Sequence, residues 1–116
     1  MFRNIVTGTI AGLSTLLAAN LATAGEKTGL ITSVHLAQQH GERVFVKIAG
    51  AYSSEPSCSA GADGWDFMLD ISQPTGKAIY AQLMAAQYAR VPVQVVGSNL
   101  CTHPNYENLS YIVVEN

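Results

Sequence analysis

A mainly β domain with one helix, in the element order β-β-β-α-β-β, is the architecture this sequence predicts. Three observations carry it. Val44, Val46 and Ile48 alternate with Phe45 and Lys47, the stretch from Trp65 to Ile71 alternates in the same way, and a single segment of helical period ends just before Pro92. The stretches between them are rich in Gly, Ser, Asn and Pro, residues that favour turns over packed elements.

The chain opens on a segment of another kind. Arg3 supplies a positive start, Ile5 to Leu21 form an uncharged and largely apolar run, and Ala22-Thr23-Ala24 has the small-x-small pattern a leader peptidase needs. Residues 1–24 are therefore expected to be a signal peptide and residues 25–116 a single exported domain, periplasmic or secreted. No second long apolar stretch follows, so membrane insertion is not expected.

Within the exported part, Thr28 to Leu36 is rich in β-branched and apolar residues and runs into the polar turn Gln38-Gln39-His40-Gly41-Glu42. Arg43 to Ala49 is a half-buried strand paired antiparallel with the first. Gly50 to Gly64 cannot bury itself and must be a loop. Trp65 to Ile71 is the next strand, with Trp65, Phe67, Leu69 and Ile71 inward and Asp66, Met68 and Asp70 outward. Ser72 to Thr75 breaks it, and Thr75 is the expected N-cap of a helix from Gly76 to Ala89, with Arg90 at the negative end of the dipole. Pro92 suits the start of a strand over Val91–Val96; Gly97 to Glu107 is a polar loop, and Asn108 to Glu115 is a last strand apolar on both faces. This order is that of the five-stranded OB barrel, whose helix plugs one end.

Charge and cysteine narrow the function classes. Loss of Arg3 with the leader leaves five basic against eight acidic residues, a formal charge of −3. That excludes neither fold nor export, but it argues against a nucleic-acid binder or a polybasic membrane-surface protein. The two cysteines, Cys58 and Cys101, lie in two loops of an exported chain and are expected to form a disulfide. Metal or redox roles would normally bring the closer Cys-x-x-Cys spacing.

Gly29-Leu30-Ile31 with His35 before the first turn, Val46 to Gly50 entering a Ser/Gly-rich loop, Trp65 ahead of the third strand, and Ala85 to Val95 with Pro92-Val93 after the helix give the chain a further property. Together they resemble the B subunit of subtilase cytotoxin and its small secreted relatives, over nearly the whole exported part. The resemblance implies an OB-fold subunit that assembles as a ring of five, binds cell-surface glycans and works beside a separate A-type subunit that supplies catalysis. A glycan-contacting hydroxyl of that family falls on Thr28, which retains it, whereas a contacting tyrosine falls on Gly97, which has no side chain to offer.

Other candidate chemistry reads as ordinary surface. Asp66 and Asp70 are two pleats apart on an outward face, too far to share a proton. Ser53, Ser54, Ser57 and Ser59 lack a Gly-x-Ser-x-Gly elbow, and His35, His40 and His103 have no spacing typical of a metal site. No catalytic residue, cofactor or metal is expected, and the chain is not expected to be an enzyme. Trp65 and Tyr111 read as core. Tyr52, His103 and Tyr106 occupy loops and, with Thr28, are the candidate ligand-binding residues. The expected function is a homo-oligomeric binding module for a glycan or similar ligand: the last strand needs a cover for its second apolar face, and the resemblance implies a pentamer before a dimer. The alternative is an exported structural or protein-interaction domain of the same fold without a glycan site.

Overall fold

A computed structural model describes residues 24–59 and 64–115. The predicted leader, Ala24 excepted, lies outside these residues. Within them the elements are β1 (Glu26–Gly29), β2 (Ile31–Leu36), a short 3₁₀ turn (Gln38–His40), β3 (Arg43–Ile48), β4 (Phe67–Asp70), α1 (Pro74–Ala89), β5 (Val93–Gly97) and β6 (Glu107–Val114). The strands form one curled mixed sheet in the order β1-β5-β6-β4-β3-β2. Neighbours are antiparallel except β4 and β6, which run parallel.

The mainly β class with one helix is as predicted, but six strands stand where five were expected. The predicted strand Thr28–Leu36 is divided at Leu30: β1 pairs with β5 at one edge of the sheet, β2 with β3 at the other. One straight strand cannot serve partners at both edges, so the chain bends. It bends where Gly29 lies so close to Ala49 that a Cβ would overlap the Ala49 carbonyl oxygen, and the Leu30 carbonyl accepts the Ala49 N–H at 2.8 Å.

The core lies on the concave face. Val44, Val46 and Ile48 of β3, Phe67 and Leu69 of β4, Val93 and Val95 of β5 and Leu109 of β6 meet there with Ile31, and Leu83 and Ala86 of α1 close over them. The inward set predicted for β3 is the one observed. β4 departs from prediction, since Trp65 and Asp66 precede the strand and Trp65 stays out of the core. Met68, expected in solvent, is buried, because it sits in register with Phe45 of β3 on a second covered face. Asp70 is exposed as expected, whereas Asp66 is drawn inward: its carboxylate pairs with Lys27 Nζ at 3.0 Å and accepts the Ile48 N–H at 2.7 Å.

The helix starts two residues before the predicted Gly76. Gln73 is its N-cap, without a side-chain bond, and Pro74 occupies the first turn, where its missing N–H costs nothing and its fixed φ already fits. Gly76 is needed there for space, since a Cβ would collide with the Asp70 carbonyl oxygen. The helix ends at Ala89, as predicted, with Arg90 in the left-handed region at φ 58°. In β6, Ile112 packs toward the core while Tyr111, Val113 and Val114 are exposed. Among the described residues no helix is long and apolar enough to cross a membrane.

Candidate functional site

Phe45 projects from the convex face of β3 between Arg43 and Lys47, yet it is only 2% exposed. What covers it is a ring of aromatic side chains. His35 of β2 stands directly opposite Phe45 in the strand register, and its ring stacks on Trp65 at 5.2 Å and 27°. His40 arrives from the 3₁₀ turn and meets Phe45 edge-on at 5.0 Å. His103 and Tyr106 arrive from the loop before β6 and meet Phe45 at 5.3 and 5.2 Å, also edge-on. These six residues line a hollow of about 100 Å³. Edge-to-face contacts of this kind contribute beyond the area they bury and fix ring orientation.

The loop that carries His103 and Tyr106 is held at several points. The Cys58–Cys101 disulfide joins it to the loop after β3, with Cα atoms 6.1 Å apart, as predicted. Asn108 pins it from the strand side: its Nδ2 donates to Thr102 Oγ1 at 2.6 Å, its Oδ1 accepts the Thr102 N–H at 3.1 Å, and its own N–H reaches the Leu100 carbonyl at 2.7 Å. Asn99 and Asn105 take the left-handed turns, at φ 67° and 75°, a conformation asparagine tolerates better than most side chains. The rings are thus presented on a braced surface. Such a surface can stack a flat or CH-rich ligand face, and the imidazoles add polar atoms that donate or accept according to tautomer.

Of the four candidate ligand residues, His103 and Tyr106 meet here, their rings 5.5 Å apart. Thr28 and Tyr52 do not line the hollow. Thr28 is exposed on β1 opposite Gln94 of β5. Tyr52 is half-buried against Phe67, and its hydroxyl donates to Glu107 Oε1 at 2.7 Å. Burial, and next the hydrogen bond to the Glu107 carboxylate, push the Tyr52 hydroxyl well above the ordinary tyrosine range.

Four members of the cluster are missed by the sequence reading, in which His35 and His40 are ordinary surface histidines, Phe45 is an outward strand residue and Trp65 is core. The available signal was Phe45 itself, an aromatic on the outward phase of an otherwise clean alternation. Among the described residues no group of three or more His, Cys, Asp or Glu side chains is arranged to hold a metal ion. Comparison with protein-family models, curated proteins and solved structures finds no match to this chain.

Proposed function

We propose that the chain is an exported glycan-binding module with an OB-type barrel, and that it binds its ligand on the aromatic–histidine cluster around Phe45. The observation that carries the reading is the place of that cluster. In OB barrels, the face of the second and third strands and the loops joining strands one to two and four to five take up oligosaccharides and oligonucleotides. Here the rings stand on β2 and β3, just ahead of β4, in the turn between β2 and β3, and in the loop between β5 and β6. If β1 and β2 count as one bent strand, Phe45 lies on the second strand, Trp65 just ahead of the third, and His40, His103 and Tyr106 in the two corresponding loops, with His35 beside them on the first strand.

The barrel reading is supported by the chain path. β1 and β2 lie at opposite edges of the sheet with Leu30 alone between them, so the chain links the two edges. The parallel pairing of β4 with β6 and the helix between β4 and β5 agree with it. An acidic balance of −3 after loss of the leader favours sugars over nucleic acid, whose phosphates need cations. The loss of a contacting tyrosine at Gly97 sets the ligand apart from that of the toxin the chain resembles. Export, a homo-oligomer with five subunits favoured, and a separate A-type subunit complete the proposal.

Trp65 is the chain's only tryptophan and stacks inside the cluster, so its emission reports on the site. Purified protein applied to a glycan array should give a reproducible set of hits, and titration with a hit should shift or quench Trp65 fluorescence. Tyr106→Ala should weaken that titration about tenfold or more, the scale of a centrally placed aromatic contact. An empty array together with unchanged emission on saturating oligosaccharide mixtures would sink the proposal.

A further inference from the structure

Glu107 is a charged side chain with no exposure at all. Its Oε2 accepts the Gly25 N–H at 3.0 Å and the Asn99 N–H at 2.8 Å, and its Oε1 accepts the Tyr52 hydroxyl. Gly97 makes the space, since a Cβ there would overlap the Glu107 carboxylate. The neighbouring cation, Lys27, is engaged with Asp66. Hydrogen bonds therefore surround Glu107, but no cation among the described residues is paired with it. A fully buried carboxylate without a counter-charge is costly, and its partner is normally a cation in direct contact.

We propose that the counter-charge is the α-ammonium of Gly25, created when the leader is removed between Ala24 and Gly25. The inference rests on the export reading above and adds the cut's structural role. Hydrolysis of the Ala24–Gly25 bond by a leader peptidase consumes one water: the leader leaves with the new carboxylate, and the Gly25 nitrogen takes up protons to become an ammonium at neutral pH. That nitrogen already lies 3.0 Å from Glu107 Oε2. The groups that hold it there are downstream of the cut. The Gly25 carbonyl accepts the Gly97 N–H at 2.8 Å, and Glu26 exchanges two backbone hydrogen bonds with Ser53, both 2.9 Å. Removal of residues 1–24 leaves those anchors intact.

The register of the cut follows. A side chain at position 25 would meet the Glu107 carboxylate and the Tyr52 ring, so only glycine admits the approach. A cut one residue earlier leaves an amide at this spot, and a cut one residue later removes the nitrogen altogether. Processing thus converts a charge–dipole contact into a buried ion pair, in addition to Lys27–Asp66.

The test uses the full chain, expressed with its leader in an exporting host. Mass spectrometry of the product should show an N-terminus at Gly25; a product that starts elsewhere overturns the register, and an uncut product overturns the export reading with it. The Gly25 product is then treated at pH 7 with an amine-acetylating reagent, and modified peptides are followed over time. An ordinary α-amine titrates below lysine and reacts first. In the folded protein the Gly25 amine should instead react about tenfold or more slowly than exposed Lys77, because reaction waits for local opening, and should become the fastest site in urea. In Glu107→Gln its reaction should speed up. Fast labelling of folded wild type, or slow labelling unchanged in Glu107→Gln, would overturn the ion pair; should that variant not fold, the folded-against-urea comparison decides alone.

Discussion

Tyr52 and Glu107 show how one residue's chemistry becomes a stability property. The phenol reads from sequence as a loop aromatic open to ligands, yet its hydroxyl is spent on a buried carboxylate. Tyr52→Phe keeps the ring on Phe67 but leaves Glu107 one donor short. It should cost about 1–3 kcal/mol in chemical denaturation, the usual penalty for an orphaned buried acceptor. The same contact has a signed pH dependence. Because folding raises the Tyr52 pKa above its ordinary value of 10.0, its contribution is complete below about pH 10. Above that the unfolded chain releases the proton while the folded one retains it, so stability falls as pH rises. Unfolding followed from pH 8 to 11 should show a decline in wild type and a flatter curve in Tyr52→Phe.

At the scale of elements, what the sequence made legible is what depends on local pattern. β3 alternates and its inward set follows the alternation, and α1 ends at Ala89 because Val91-Pro92 cannot continue it. What escaped depends on partners far along the chain. No local signal marks Leu30 as the point where one strand changes sheet edge, and Trp65 belongs with His35 only after β2, β3 and β4 are laid side by side. Pro74 reads in sequence as a breaker yet stands in the first turn of the helix, a role that the residue type allows equally. Glu107 sits in a polar stretch that reads as loop, and its burial becomes visible only through the space left at Gly97.

Two predictions belong to elements. Leu83 is fully buried where α1 meets the sheet, so Leu83→Ala should lower stability by about 2–5 kcal/mol in a urea titration. The Cys58–Cys101 bridge spans 43 residues and should contribute about 4 kcal/mol by restricting the unfolded chain. Cys58→Ser with Cys101→Ser should lose most of that in the same titration. It should also weaken ligand binding beyond the stability loss, because Cys101 braces the loop that carries His103 and Tyr106.

For the molecule as a whole, the open question is what covers the convex side of β6. Tyr111 is 50% exposed and Val113 43%, two apolar neighbours on that side, while Val114, paired with the core residue Val93, lies on the Ile112 face. Ile112 cannot serve as its probe, because it packs toward the core and a lysine there would damage the monomer. The outward residues can. Isolated exposed apolar side chains need no explanation, but adjacent ones on a sheet face invite packing against another chain, and a closed ring covers every such face without leaving an open end. The proposed ring of five would present five copies of the Phe45 cluster to a glycan surface, where multivalency offsets weak single-site affinity. On that proposal, light scattering on the purified protein at micromolar concentration should give about five times the monomer mass. Val113→Lys should return it to monomer with its far-UV circular dichroism unchanged, and with array binding reduced more than single-site Trp65 titration. A monomeric wild type would remove both the ring and the multivalent part of the binding model, and leave the Phe45 cluster to act alone.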